Sequence, residues 1–353
     1  MPPEAKLDTA LNCPVPIAAG ESILLGHGSG GRMSGDLLRN IVLPALQNPA
    51  LDQLNDQAIV DVGGSRIAFT TDSFVVKPLF FPGGDIGTLA VNGTVNDLAM
   101  GGATPLFLSL ALILEEGLPL DILRRVMESI RVAAALAGVA VVTGDTKVVE
   151  KGSGDGLFVN TSGIGLVSSG IRLSADQARP GDCVLLSGNI GDHGITILSQ
   201  REGLEFESAV ASDTSALHTL VASMLRASLD IRCLRDPTRG GLSSSLNEIA
   251  SRSHVGIELE ENSIPIREEV QGACEMLGLD PLYVANEGKL VAIVEPNAAE
   301  RILEAMHQHP LGLNARMIGT VTRSHPTMVS LRTRLGTSRI VDLLAGDQLP
   351  RIC

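Results

Sequence analysis

Ala58-Ile59-Val60-Asp61-Val62-Gly63-Gly64-Ser65-Arg66-Ile67-Ala68-Phe69-Thr70-Thr71 is the stretch whose reading decides the fold. Two apolar runs rich in β-branched residues flank Gly63-Gly64-Ser65. Consecutive glycines between such runs predict an antiparallel hairpin. The hairpin changes the meaning of the glycine cluster upstream, Gly26-His27-Gly28-Ser29-Gly30-Gly31. That cluster has the spacing G-x-G-x-x-G, but a dinucleotide-binding βαβ unit needs a parallel strand after its helix. No Gly-Lys-Ser/Thr occurs either, so the common P-loop is excluded. What remains is a run of backbone N–H groups that can approach an anion closely, ahead of a helix at Leu37 to Leu46. Gly28, Gly30 and Gly31 are therefore candidate phosphate contacts, with a flexible turn as the plainer alternative.

Further along, strands and helices are mixed. Asp85 starts a helix that Gly101-Gly102 ends, and Asp121 starts another in which Ile122, Val126 and Ile130 recur at helical spacing. Val139 to Val142 is expected to be a buried strand that delivers Gly144-Asp145-Thr146-Lys147. Ser168 to Pro180 is a domain joint. Beyond it, Val184 to Leu186 and Leu290 to Val294 read as strands and Ala298 to Met306 as a helix. Asp236-Pro237 is expected to open a helix, with Asp as cap and Pro in the first turn. The expected organisation is a flexible arm at 1–20, an N-terminal domain at 21–170, a C-terminal α/β domain at 171–335 and a polar tail at 336–353.

The 353 residues suffice for two cores. With 44% apolar and only 2% aromatic residues, those cores must be built from Leu, Ile, Val and Ala. The formal charge, 27 − 40 = −13, and the scarcity of rings exclude a nucleic-acid binder, which needs a basic field and stacking platforms. One local exception is the run from Arg316 to Arg339, with five Arg and no acid. It is either a solvated strand face or a docking patch for an acidic partner or for the chain's own tail. Met1 to Asn12 lacks the long apolar run of a signal peptide, and no stretch approaches the ~20 apolar residues of a membrane span. The five widely spaced cysteines contain no CxxC. No membrane and a reducing cytoplasm are expected.

Several residues can carry chemistry. Asp72 follows an apolar strand, Asp97 lies on a helix between Val95 and Leu98, and Asp145 stands in a glycine-bearing turn. Carboxylates in such places hold Mg²⁺ ions that bridge phosphates, although each alone also reads as a cap or turn residue. Lys147 and Glu287 are acid–base candidates, or else an ordinary ion pair. Asp236-Pro237-Thr238-Arg239-Gly240-Gly241 joins a helix start, an arginine and two glycines, a set that suits an anion or simply caps a helix. Cys13, Cys183, Cys233 and Cys274 read as core or incidental. Cys353 differs, being the last residue of a polar tail. A thiol there can travel, and with an ordinary pKa near ~8.5 it is partly ionised at neutral pH.

Taken together, Leu25-Gly26-His27-Gly28-Ser29-Gly30-Gly31, Thr71-Asp72-Ser73-Phe74, Val95-Asn96-Asp97-Leu98-Ala99, Gly144-Asp145-Thr146-Lys147, Asp236 to Gly241, Asn286-Glu287-Gly288-Lys289 and the terminal Pro350-Arg351-Ile352-Cys353 resemble the HypE family of hydrogenase maturation factors. These are carbamoyl dehydratases of the aminoimidazole ribonucleotide synthetase-like ATP-binding superfamily. The resemblance spans nearly the whole chain, and its specific signal is the Pro-Arg-Ile-Cys end. It implies a two-domain α/β fold with a mobile tail, and a homodimer formed through the N-terminal sheets, with ATP and Mg²⁺ near that junction. It implies that Gly28, Gly30, Gly31, Asp72, Asn96, Asp97, Asp145, Asp236 and Arg239 bind the nucleotide, with Asp72, Asp97 and Asp145 on the metal. It also implies a carbamoyltransferase partner (HypF-like) that loads Cys353. ATP then drives dehydration to a thiocyanate, with Lys147 and Glu287 sharing the proton chemistry. An iron scaffold (HypC–HypD-like) takes the cyano group.

Two other readings are weighed. Selenophosphate synthetase shares the superfamily, but normally keeps its reactive Cys or Sec in the glycine-rich region, where this chain has His27 and Ser29. A nucleotide-sensing scaffold would bind ATP without turnover.

Overall fold

The computed structural model describes residues 22–204, 210–346 and 351–353. The expected arm at 1–20, with Cys13, lies outside them, as does Pro350. In chain order the elements are α1 (Arg32–Leu37), α2 (Leu43–Leu46), β1 (Ala58–Val62), β2 (Ser65–Phe74), β3 (Phe80–Phe81), β4 (Gly84–Asp85), α3 (Ile86–Met100), β5 (Ala103–Glu115), α4 (Leu120–Ala137), β6 (Ala140–Val149) and β7 (Leu157–Val167). Then follow β8 (Cys183–Leu186), α5 (Asp192–Glu202), α6 (His218–Ala227), β9 (Ile231–Arg235), α7 (Gly241–Ser253), β10 (Gly256–Glu260), α8 (Glu268–Leu277), β11 (Val291–Val294), α9 (Pro296–His307), β12 (Arg316–Thr322), β13 (Val329–Arg332) and β14 (Ser338–Ile340).

β1 and β2 form the expected hairpin, with Val62 opposite Ser65. Gly63 and Gly64 hold φ of 58° and 85°, the left-handed pair that such a turn requires. The hairpin opens a five-stranded sheet of order β1-β2-β7-β5-β6, in which only β5 and β6 run parallel. α3 and α4 cover one face. Val126, Ile130 and Ala133 of α4 pack with Leu89 and Ala90 of α3 on Leu108 and Leu112 of the sheet. α3 is buried almost all round, because its C-terminal end, Ala99 and Met100, also enters a core with Leu217 and Leu220 of the second half. That double burial explains why its sequence has no charged face. Asp85 caps it, accepting from the N–H groups of Gly87 and Thr88.

The second sheet has seven strands, in the order β14-β13-β10-β12-β8-β11-β9. Its central strands β8 and β11 are buried along their whole length. Leu242, Leu246 and Ile249 of α7 pack on one face. Met224 of α6 and Ile302 and Met306 of α9 pack on the other. The apolar runs Val184–Leu186 and Val291–Val294 follow from this, since a strand covered on both sides cannot alternate with polar residues.

Four expectations are corrected. β6 is not buried. It is an edge strand, with Val141, Val142 and Val148 at 40%, 59% and 67% exposure. Asp236-Pro237 does not open α7. Gly240 and Gly241 take φ of 73° and 60°, so the chain turns once more and the helix begins at Gly241. Residues 22–53, expected in the first domain, lie against the second half. Arg32 donates to the Leu344 carbonyl (2.9 Å) and Arg252 to that of Asp52 (2.7 Å). The polar tail also starts later than expected. Ser338–Ile340 pairs with β13, and Val341 is fully buried.

Asn96 ties the halves together. Its amide donates to the carbonyls of Ser215 (3.0 Å) and Glu287 (3.2 Å), and its oxygen accepts from Leu217 N–H (2.7 Å). Asn96→Ala orphans these backbone groups and should destabilise the fold by about 2–4 kcal/mol, read as a lowered thermal unfolding temperature. An unchanged unfolding temperature would mean that the seam does not depend on this amide.

Candidate active site

A cleft of about 560 Å³ opens where β2, α3, the β9–α7 turn, the Asn286–Lys289 turn and Gly30 converge. The chain reaches it from both sheets. Charged side chains are prominent in its lining: Asp56, Asp72, Asp97, Asp236, Glu248 and Glu287, together with Arg39, Arg235, Arg239 and Arg252.

Oxygens of Asp56, Asp97 and Asp236 lie within 4.8 Å of one another. Thr70 Oγ1 donates to Asp97 Oδ2 (2.7 Å). Arg235, itself buried, pairs with both Asp56 and Glu248. Burial pushes Asp97 and Asp236 well above the usual carboxylate range, and the neighbouring carboxylates push the same way. Asp72 is raised by burial, with Arg239 opposing. Like charges held this close in a desolvated pocket favour a bound cation over full ionisation without one. Oxygen donors of this kind suit a hard divalent ion.

Glu287 is held from several sides. Its carbonyl accepts from Asn96, and its N–H donates to Asp213 Oδ1 (3.1 Å). Asp213 in turn pairs with Lys289 (3.0 Å) and accepts from Gly288 N–H (3.2 Å). Asn286 accepts from Gly191 N–H (2.7 Å) and donates to the Pro237 carbonyl (2.9 Å). The Glu287 side chain is 3% exposed, and its Oε1 has no partner within the chain. Burial, then Asp213, Asp236 and Asp72, raise its pKa well above normal. A carboxyl in that state can hold a proton at neutral pH and exchange it with a bound group.

The C-terminal residues dock into the same cleft. Val75 N–H donates to an α-carboxylate oxygen of Cys353 (2.9 Å), and the Arg351 guanidinium pairs with Asp155. Ile352 is 4% exposed and joins the core of the first half. The Cys353 side chain lines the cleft with Glu287, Asp72 and Arg239. Burial pushes its thiol up to about 12, against the pull of Arg239 and with the help of Glu287 and Asp72.

The structure therefore brings together Cys353, Glu287, Asp72, Asp97, Asp236, Arg239 and Gly30 of the expected set. Gly30 needs its positive φ of 77°, since a Cβ there would meet the Arg239 backbone at 2.7 Å. Other expected residues stand elsewhere. Gly28 faces open space, and Gly31 packs against Leu344. Asn96, expected at the nucleotide, has its amide taken by the seam. Asp145 and Lys147, expected at the metal and beside Glu287, lie on the exposed β6 and pair with each other at 2.5 Å. An edge strand of a single chain cannot carry them into the cleft. Asp56, Arg235 and Glu248 were not singled out. The available signal was Arg235 itself, next to Asp236, because an arginine at the end of an apolar strand requires a carboxylate.

The docked thiol should be nearly inert. With its pKa raised, alkylation of Cys353 by iodoacetamide at pH 8 should run at least about tenfold slower than for a free thiol. Arg351→Ala, which removes the Asp155 pair, should speed it. Equal rates in both proteins and in a model thiol would show that the tail does not dock in solution.

Comparison with known proteins gives the family. Residues 54–167 match the N-terminal domain of the AIR synthase related protein family, and residues 179–330 match its C-terminal domain. The chain is 59% identical over 332 residues to carbamoyl dehydratase HypE of Azotobacter vinelandii, covering 94% of this chain and 97% of that one. It is 47% identical over 337 residues to carbamoyl dehydratase HypE of Escherichia coli K12, covering 94% and 99%. A crystal structure of a HypE–HypF complex superposes with a TM-score of 0.84 at 49% identity, covering 87% of this chain and 99% of that one. The hydrogenase maturation protein HypE in complex with ATP superposes with a TM-score of 0.80 at 50% identity, covering 94% and 100%. Thiamine monophosphate kinase from Aquifex aeolicus, 19% identical with a TM-score of 0.61, shares the fold. At this identity over nearly its whole length, the chain belongs to the HypE family of carbamoyl dehydratases, enzymes of hydrogenase maturation built on the AIR synthase related fold.

Proposed function

We propose that this chain uses ATP to dehydrate an S-carbamoyl group carried on its own Cys353, giving a thiocyanate that supplies the cyanide ligand of the iron in a [NiFe] hydrogenase. The observation that supports this most is the placement of the Cys353 side chain in the acidic cleft beside Glu287 and Arg239. A carboxamide oxygen is a poor leaving group. Transfer of a phosphoryl group from ATP to that oxygen makes it a good one. The nitrogen loses one N–H proton as the oxygen is phosphorylated and the second as phosphate departs, leaving a C≡N triple bond on sulfur, with ADP and phosphate. Glu287, buried and raised, is the proton-holding group nearest this chemistry.

Asp56, Asp97 and Asp236 fit Mg²⁺ by donor type and spacing, with Asp72 on the neighbouring wall. The ion would supply charge neutralisation for the triphosphate. Arg239 and the backbone at Gly30 would orient the phosphates.

Two copies would pair through the first sheet. Its face opposite α3 leaves Phe69, Phe107, Ile164 and Leu166 40–46% exposed, beside the unpaired edge of β6. Such an apolar face calls for a partner surface. Any role of Asp145 and Lys147 at a cleft, including sharing the proton with Glu287, would depend on that second copy. Among the described residues no helix is long and apolar enough to cross a membrane, and we place the reaction in the cytoplasm. A HypF-like carbamoyltransferase would load the thiol. The relatives' HypE–HypF complex supports that pairing. A HypC–HypD-like iron scaffold would receive the cyano group.

Mass spectrometry of the C-terminal peptide tests the chemistry. The carbamoylated chain should lose one water only with ATP and Mg²⁺, and Cys353→Ala should carry no adduct. An adduct that persists while ATP is hydrolysed would sink the reading. Asp97→Asn should abolish turnover yet raise the unfolding temperature of the metal-free protein by roughly 2–4 °C, because one member of a repelling cluster becomes neutral. A lowered unfolding temperature would show that the cluster is not strained without its cation.

A further inference from the structure

α5 carries a buried histidine that the chemistry above leaves without a role. His193 is fully buried, at the second position of the helix, 159 residues from the carbonyl it meets. Its Nε2 lies 2.7 Å from the carbonyl oxygen of Ile352, the residue before Cys353. Its Nδ1 lies 2.8 Å from Ser212 Oγ. A carbonyl can only accept, so Nε2 bears the proton and Nδ1 must accept. Ser212 satisfies it with its hydroxyl proton, and the hydroxyl oxygen accepts from Thr214 N–H (3.2 Å). Ser212 is itself anchored through its N–H to the Pro82 carbonyl (2.9 Å). The donors therefore run in one direction, from Thr214 through Ser212 and His193 to the tail. Phe81 meets the imidazole edge-on, with centroids 5.6 Å apart. The ring is fully buried, and Asp213 is the charged group close enough to act on it.

We propose that His193 is a positioning residue: its Nε2–H seats the C-terminal peptide through the Ile352 carbonyl and so sets where Cys353 stands in the cleft. The tail is gripped mainly through its backbone. Arg201, also on α5, donates to the Arg351 carbonyl (2.8 Å), and Val75 N–H donates to an α-carboxylate oxygen of Cys353. The Ile352 carbonyl lies between these two in the chain and meets the imidazole. Without His193 it loses that donor, and a buried carbonyl without one favours release of the tail. The imidazole stays neutral because burial lowers its pKa, so it donates without bringing a charge beside the reacting group.

The inference rests on the tail-carrier reading, and its test separates the two. The full chain would be prepared as wild type, His193→Leu and His193→Gln; the glutamine amide nitrogen can occupy the place of Nε2. Three quantities are measured: the rate of Cys353 alkylation by iodoacetamide, the single-turnover dehydration rate of the carbamoylated chain at saturating ATP, and the Kd for ATP. His193→Leu should speed alkylation about tenfold and slow dehydration about tenfold, with the ATP Kd unchanged. His193→Gln should restore both rates to within about threefold of wild type. Leucine and glutamine variants equally impaired, or a leucine variant within about twofold of wild type on both rates, would overturn the proposal. If His193→Leu does not fold, Ser212→Ala decides by alkylation, with about a threefold rise expected and no change overturning the latch. If the wild-type adduct keeps its water, the dehydration reading fails while alkylation still tests the latch.

Discussion

A buried cluster of carboxyl groups governs this molecule. Six of them line one cleft together with the four guanidinium groups of Arg39, Arg235, Arg239 and Arg252. Desolvation and mutual repulsion hold Asp97, Asp236 and Glu287 far above the usual carboxylate range. Such a site is unfavourable by itself and persists only because the cores on either side over-determine it. β1 and β2 bring in Asp56 and Asp72, α3 brings Asp97, and β9 with its following turn brings Arg235, Asp236 and Arg239. The same crowding of carboxyls that opposes folding is what makes the site suited to a cation.

The seam between the halves follows from that demand. α3 has to present Asp97 to the cleft while its neighbour Asn96 clamps the backbone of Ser215, Leu217 and Glu287. Adjacent residues on a helix point about 100° apart, so one turn serves both the chemistry and the joint. Glu287 reaches the cleft because its backbone is fixed from the first half by Asn96 and from the second by Asp213. Its Oε1 has no hydrogen-bond partner among the described residues.

Docking by the backbone suits a carrier tail. The carbonyls of Arg351 and Ile352 and the α-carboxylate of Cys353 each meet a donor. Each hydrogen bond is modest, so no single one fixes the peptide. Arg351 holds a φ of 54°, a strained value for a non-glycine residue, which also keeps the docked state from being too deep. Inside the cleft burial raises the Cys353 thiol to about 12, which lowers its thiolate fraction.

Much of this was legible in the residues alone. Gly63-Gly64 between β-branched runs dictates a hairpin wherever it occurs, because only positive φ closes that turn. The apolar runs of β8 and β11 and the Asp85 cap are equally local. Asp97 stood out because a carboxylate among apolar helix positions needs a reason. Asp56 did not, since in a loop it looks like any solvated acid until Arg235 is placed against it. His193 likewise reads as an ordinary helix start until the tail folds back on it. Asp145 and Lys147 show the converse: their motif is local, but their use depends on what covers β6, which one chain does not contain. The sequence determined the elements and the kinds of chemistry available. Which groups meet, and with what shifted acidity, was decided only by the tertiary structure, because burial and distance are properties of contacts between segments far apart in the chain.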